Sequence, residues 1–203
     1  MNFAKEYFRE LYEGLDKIDP DKIEKVTDVL LNAWKNGQQV FILGNGGSAA
    51  TASHMACDFG KGTLKKMYDP VEKRFKVISL TDNAPLLTAL ANDVGYENIF
   101  AQQLYNQIKM GDIVIVITGS GNSENVLRAI KVAQDKKATI IAFLGADGGK
   151  AKDMVDYCII YEELHYGRIE DAHSILSHLI TNWLKEKLDS LKGSGEFFKE
   201  EAK

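Results

Sequence analysis

Cysteine is scarce in this sequence, and long apolar runs are missing from it. The two cysteines, Cys57 and Cys158, fall in predicted core segments, so we expect buried free thiols rather than a disulfide, as suits a reducing cytosol. No uninterrupted apolar run approaches the length of a membrane-spanning helix. The residues Met1–Glu6 carry charge and lack an apolar region, so we expect no signal peptide. These absences predict a soluble, cytoplasmic protein with no membrane partner.

An excess of positive charge is also lacking. Lysine and arginine number 25 against 29 aspartate and glutamate residues, and the formal net charge is −4. This balance predicts no general affinity for nucleic acid or for an anionic membrane. Any anion site must therefore be local. A hydrophobic content of 45% and a length of 203 residues are ordinary for a globular chain with one core.

Short apolar, β-rich segments alternate with helical patterns along the chain. An amphipathic helical hairpin is predicted over residues 1–37 and a long helix from Arg168 to Leu191. Between them, strands are predicted at residues 40–43, 75–80, 113–117, 139–144 and 157–160. The alternation predicts the α/β class with a parallel, doubly wound sheet. We expect a single domain over residues 1–192 and a flexible tail over residues 193–203.

Two of the predicted strands end in turns rich in glycine and hydroxyl groups. The first turn is Asn45–Ser48 and the second is Thr118–Ser123. Neither turn matches a dinucleotide fingerprint or a Walker loop. The first is equally compatible with a tight turn that merely needs glycine. In the second, capping of the next helix by Ser123 is the alternative, but three hydroxyls interleaved with glycine favour a phosphate site.

Histidine and carboxylate side chains recur at helical spacing in two predicted helices. His54 and Asp58 are four residues apart, and Glu170 and His178 are eight apart, so each pair shares a helix face. Taken singly, each pair is more simply a solvated helix surface. Together they would suit a Zn²⁺, Fe²⁺ or Mn²⁺ site. The same groups could also act as acid and base without a metal.

Three motifs resemble one known family. The segments GNGGSAATASH in Gly44–His54, AND in Ala91–Asp93 and SGNS in Ser120–Ser123 are similar to the sugar isomerase (SIS) domain. Within it they resemble the phosphoheptose isomerases, which interconvert sedoheptulose 7-phosphate and D-glycero-D-manno-heptose 7-phosphate. The resemblance implies a flavodoxin-like, five-stranded parallel sheet. It also implies a homotetramer with active sites at subunit interfaces.

The same resemblance implies roles for individual residues. The phosphate is held by Ser48, Thr118, Ser120 and Ser123 with nearby backbone amides such as that of Gly119, while Asn92 and Asp93 lie near the sugar hydroxyls. Asn45, Gly46 and Gly47 form the floor under the sugar. Asp58 and Glu170 also contact substrate, and a divalent metal, expected to be zinc, is held by His54, Asp58, Glu170 and His178.

Two of these positions depart from the family pattern, and one role is in tension. Asp58 stands where the family has glutamate, and Glu170 stands where it has glutamine. The extra negative charge beside a phosphate predicts a stronger dependence on the metal. For the enediol mechanism, Asp58 is expected to move the carbon-bound proton and His178 the oxygen-bound proton. A ligated nitrogen of His178 cannot also donate a proton, so one of its two roles must give way.

Two other functions remain compatible with the sequence. The run Thr81–Asp93 also resembles the DnaA initiator-associating protein, a non-catalytic replication regulator with this fold. The presence of Asp58 and His178 as chemically competent groups favours an enzyme, an intramolecular oxidoreductase. The second alternative is an isomerase of a different phosphosugar, since the motifs specify the family more narrowly than the substrate.

Overall fold

The chain opens with the predicted helical hairpin. A computed structural model describes residues 2–193, beginning with α1 (Phe3–Leu15) and α2 (Pro20–Asn36). Asp19 caps α2 by accepting a hydrogen bond from the Asp21 N–H over 2.9 Å, and Pro20 occupies the first turn. Gly37 ends the helix with a left-handed φ of 65°. None of the residues of α1 is buried, whereas α2 contributes seven buried residues to the core.

Five parallel strands form one sheet, as predicted. They are β1 (Gln39–Gly44), β2 (Lys76–Ser79), β3 (Ile113–Thr118), β4 (Thr139–Gly145) and β5 (Tyr157–Tyr161). Their spatial order is β2-β1-β3-β4-β5, which is the flavodoxin-like order. All six residues of β3 are buried, as expected for a central strand covered on both faces.

Helices cover both faces of the sheet. They are α3 (Gly47–Lys61), α4 (Ala84–Val94), α5 (Ile99–Gln107), α6 (Glu124–Asp135) and α7 (Tyr166–Gly193). One apolar cluster joins α2, α3 and α7 to the sheet through residues such as Leu30, Phe59 and Leu176. The other joins α5 and α6 to the opposite face through residues such as Leu104 and Ile130. The site-bearing helices α3 and α7 therefore lie on the same face and pack against each other.

Some sequence predictions need correction or lie beyond the described residues. Cys57 is exposed rather than buried, because α3 turns Met55 and Phe59 inward and Cys57 lies on another side of that helix. Cys158 is half-buried, and both thiols are free. The predicted tail, residues 193–203, lies outside the described residues except for its first residue. No helix of residues 2–193 is long and apolar enough to cross a bilayer.

Candidate active site

The candidate site lies where the strand order reverses. β1 has β2 on one side and β3 on the other, and the connections from β1 and β3 therefore leave on opposite faces of the sheet. Ligands of doubly wound folds bind in the crevice beyond the carboxyl ends of such strands. Both predicted glycine turns emerge here, since Gly44 of β1 pairs with Ile117 of β3.

A small cavity with polar walls occupies this crevice. Its volume is about 130 Å³, and its lining includes Asn45, Ser48, Thr118, Gly119, Ser120, Ser123 and Glu170, with Ile117 and Tyr166. That volume is below the roughly 300–1,000 Å³ of pockets that enclose a drug-sized ligand. The cavity can therefore take one group of a ligand, while the rest extends outside. Seven of the residues predicted from the sequence meet in it.

The hydroxyl groups in this cavity are set to donate hydrogen bonds to an anion. Thr118 Oγ1 accepts from the Gly121 N–H over 3.3 Å, and Ser120 Oγ accepts from the Asn122 N–H over 3.2 Å. Each oxygen thus accepts from a backbone N–H, and its own hydrogen, which has no acceptor among residues 2–193, is left for a ligand. Ser123 occupies the N-cap position of α6 but makes no capping hydrogen bond. The capping explanation of Ser123 is therefore wrong, and this residue lines the cavity.

Glu170 approaches the first glycine turn from α7. A Cβ atom placed on Gly47 would overlap the Glu170 carboxylate, so the turn needs glycine here because a side chain approaches closely. On the other side of the cavity, Tyr166 packs against Gly119, where an added Cβ would lie 3.2 Å from the Tyr166 ring. Nothing in the sequence pattern singled out Tyr166, because an aromatic residue at a helix start is usually a packing group.

Three of the four predicted metal ligands meet in a cluster on α3 and α7. His54 Nε2 lies 2.8 Å from His178 Nε2 and 3.1 Å from Asp58 Oδ2, and His178 Nε2 lies 3.7 Å from the same oxygen. The two imidazoles are about half exposed, at 55% and 56%, whereas the Asp58 side chain is 17% exposed. The donor atoms of all three groups lie within 4.8 Å of one another.

The cluster has the dimensions and chemistry of a divalent metal site. In tetrahedral coordination with bonds of about 2.1 Å, neighbouring ligand atoms lie about 3.4 Å apart. The three separations here, 2.8, 3.1 and 3.7 Å, scatter around that value. Two imidazole nitrogens and one carboxylate oxygen are also a typical catalytic zinc set that leaves a position for substrate. The residues present therefore fit a metal ion.

Glu170, Asn92 and Asp93 stand apart from this cluster. Glu170 lines the cavity and is not a member of the three-residue group. Asn92 and Asp93 are exposed near the end of α4, where Asn92 Nδ2 donates to Asp93 Oδ1 over 2.8 Å. They do not line the cavity described above. The assignments of these three residues stay predictions.

Comparison with known proteins gives the same picture over nearly the whole chain. The family model described as the SIS domain matches residues 5–145. A phosphoheptose isomerase of Aquifex aeolicus is 39% identical over 90% of this chain and 95% of its own. One from Clostridium acetobutylicum is 35% identical over 92% of this chain and 95% of its own.

A solved structure shares the fold as well. The phosphoheptose isomerase of Neisseria gonorrhoeae superposes with a TM-score of 0.81 at 28% sequence identity. The superposition covers 90% of this chain and 97% of that one. The five-stranded sheet and the long last helix are therefore common to both proteins.

Proposed function

The chain belongs to the SIS domain family, and from this premise we propose that it is a phosphoheptose isomerase. It interconverts the ketose sedoheptulose 7-phosphate and the aldose D-glycero-D-manno-heptose 7-phosphate. One observation carries the proposal: α3 and α7 each join the hydroxyl-lined cavity to the His54, Asp58 and His178 cluster. Such an arrangement holds a phosphate at one end of a sugar and brings acid–base groups to the other.

The cavity is the proposed phosphate site. The hydroxyls of Thr118, Ser120 and Ser123 supply donors, and the uncapped start of α6 adds backbone N–H groups and a favourable dipole. Ser48, which is 6% exposed, adds a hydroxyl from the start of α3. With a net charge of −4 the whole protein does not attract anions, so this local donor set accounts for the binding.

We propose that His54, Asp58 and His178 hold a divalent metal ion, with zinc as the candidate and Glu170 as the further ligand implied by the family resemblance. When bound, the ion supplies Lewis acidity that polarises the sugar carbonyl and stabilises the oxyanion of the enediolate. Because His178 Nε2 faces both other donors, the geometry favours the ligand role of His178 over its acid role.

Asp58 is the proposed base for the carbon-bound proton. Its Oδ2 atom faces both imidazoles, whereas its Oδ1 atom has no hydrogen bond or ion pair to any residue within 2–193. Oδ1 can thus accept the proton from one of C1 and C2 and return it to the other, while the hydroxyl proton passes between the adjacent sugar oxygens O1 and O2. Asn45, Gly46 and Gly47 would lie under the sugar, and Asn92 and Asp93 would reach its hydroxyls from α4.

The proposed assembly is a homotetramer with active sites at subunit interfaces. His54 and His178 are about half exposed in the single chain, although a catalytic cluster works best shielded from water. Ile175 and Leu179 flank His178 and are 38% and 39% exposed. A second copy seated on this face would cover both the apolar groups and the cluster. Light scattering coupled to gel filtration measures the assembly.

Two measurements on the purified protein test the function. Metal analysis is expected to find a divalent ion, and NMR in D₂O is expected to show exchange of the carbon-bound proton at C1 or C2 of sedoheptulose 7-phosphate. A protein with neither metal nor exchange that instead binds a replication initiator would be the regulator. Exchange with another phosphosugar, and none with the heptose, would change the substrate. The two free thiols support a cytoplasmic location.

A further inference from the structure

Asn45 is part of a hydrogen-bonded triad behind the cavity wall. Its Nδ2 donates to Asn125 Oδ1 over 2.9 Å, and Asn125 Nδ2 donates back to Asn45 Oδ1 over 2.8 Å. The Tyr96 hydroxyl donates to the same Asn45 Oδ1 over 2.9 Å. Asn45 lines the cavity, whereas Asn125 lies behind it and is only 2% exposed.

A backbone group fixes which way round both amides sit. The Val126 N–H is shared between two acceptors, Asn125 Oδ1 and the Ser123 carbonyl oxygen, each at 3.0 Å. Because an N–H can only donate, the Asn125 side-chain atom that faces it is the oxygen. The Nδ2 of Asn125 therefore faces Asn45, and the Asn45 atom that accepts its hydrogen bond is Oδ1. A flipped Asn45 would set oxygen against oxygen and nitrogen against nitrogen. The orientation of Asn45 is thus determined by the first turn of α6.

This orientation leaves Asn45 as a donor toward the cavity. Its Oδ1 is occupied by two donors, Tyr96 and Asn125. Of the two hydrogens on its Nδ2, one is used by Asn125, and the other has no partner among residues 2–193. An amide with a satisfied oxygen and one unused N–H offers the ligand a hydrogen-bond donor and no acceptor. Such a group suits a phosphate, carbonyl or alkoxide oxygen.

We infer that Asn125 is a positioning residue that locks Asn45 as a hydrogen-bond donor to an oxygen of the bound sugar phosphate. The Tyr96 hydroxyl, in the segment that follows Asn92 and Asp93, helps to hold this orientation of Asn45 by donating to its Oδ1. The inference rests on the proposed phosphosugar function and adds to it a pair of residues that do not themselves touch substrate. Through this triad, the β1–α3 turn, the start of α6 and the segment after α4 hold one common geometry.

The test replaces each partner of Asn45 and measures steady-state kinetics with sedoheptulose 7-phosphate. Asn125→Leu keeps the size of the side chain and removes its two hydrogen bonds to Asn45. KM should then rise about tenfold with kcat little changed, as expected when a contact that stabilises the bound substrate and the transition state equally is lost. Tyr96→Phe removes one hydroxyl and should raise KM by about threefold. Tyr105→Phe, at an exposed tyrosine of α5, is the matched control and should leave KM unchanged.

A double-mutant cycle separates positioning from a general structural role. If Asn125 acts through Asn45, adding Asn125→Leu to Asn45→Ala should change KM by less than about twofold further. If the fold-changes in KM of the two single variants multiply in the double variant, the inference is overturned. A folded Asn125→Leu protein with unchanged KM would overturn it as well. Should Asn125→Leu fail to fold by circular dichroism, the cycle is run with Tyr96→Phe, and multiplying effects there overturn it equally. Wild-type protein that isomerises no phosphosugar would instead refute the proposed function.

Discussion

Asp58 is the residue whose chemistry the proposed proton transfer needs. Asp58→Asn keeps the size of the side chain but removes the base, so kcat should fall by about 10²–10⁴-fold. The cavity lies apart from this change, and binding of inorganic phosphate, measured by titration calorimetry, should therefore remain. Asp58→Glu retains a carboxylate and should keep measurable turnover. The same amide change at the exposed Asp135 is the control, and full turnover by Asp58→Asn would remove Asp58 from the mechanism.

Glu170 places a carboxylate where an anionic ligand is proposed to bind. Glu170→Gln removes that charge from the cavity wall and should tighten binding of inorganic phosphate about three- to tenfold at low salt, with a smaller effect at high salt. Titration calorimetry at two salt concentrations measures this. Glu162→Gln changes an exposed carboxylate outside the cavity lining and should have no such effect. Unchanged affinity in Glu170→Gln would place its charge out of reach of the phosphate.

Among the structural elements, the turn before α6 depends on one glycine. Gly121 has φ of 63°, and a Cβ there would overlap the backbone carbonyl oxygen of Gly148. Gly121→Ala should therefore cost about 1–3 kcal/mol of unfolding free energy and weaken phosphate binding. Gly60→Ala is the matched control, because the atom nearest its added Cβ is 3.9 Å away and α3 should gain about 0.5–1 kcal/mol. Urea denaturation of both proteins checks that the unfolding free energy falls in Gly121→Ala and rises in Gly60→Ala.

The elements themselves were largely predictable from the sequence. The five strands and the helical hairpin follow from apolar periodicity and from Pro20 and Gly37 at the ends of α2. The segment before β3 is less regular, since a 3-10 turn over Tyr96–Asn98 leads directly into α5. Gly95, whose φ is 90°, directly precedes this turn, and the Tyr96 hydroxyl at its start donates a hydrogen bond to Asn45.

The glycine turns and the family resemblance predicted most of the residues that line the cavity and also His178 of the cluster, whereas helical spacing alone predicts less. Four-residue spacing places His54 beside Asp58, but spacing within one helix does not show which side chains of α7 face α3. His178 joins His54 and Asp58, whereas the Glu170 carboxylate lies against Gly47. The way in which α7 crosses α3 determines both positions. The Asn45–Asn125 pair joins residues 80 positions apart, a contact that only the parallel pairing of β1 with β3 creates.

At the scale of the whole molecule, the order of the strands in the sheet determines which turns meet at the candidate site. β1 and β3 are neighbours although β2 lies between them in sequence, and this brings two hydroxyl-bearing turns to one crevice. The packing of α3 on α7 across one face then joins His54 and His178, which are 124 residues apart. A fold with the same elements in another order would carry the same motifs without assembling the site.

Global stability should depend on pH through His173, which lies on the buried face of α7 against Phe143. This side chain is 1% exposed, and neither of its ring nitrogens has a hydrogen-bond partner within residues 2–193. Burial lowers the pKa of His173 from 6.5 to about 4. The Leu144 backbone lies near enough to the ring to oppose this shift, but its placement does not meet the geometry of a hydrogen bond. The folded state therefore keeps this imidazole neutral where the unfolded chain would protonate it.

The folded protein should become less stable as pH falls, because the unfolded chain then binds a proton at His173 that the folded state excludes. Between pH 6.5 and about 4 the unfolded state holds more protons at His173, so this contribution to stability is complete above pH 6.5 and is lost as pH falls. The loss should reach about 3 kcal/mol near pH 4. Urea denaturation at pH 7.5, 5.5 and 4.5 measures it, with His173→Leu as comparison, which removes only this titration. Equal losses in both proteins would show that His173 is not the group responsible.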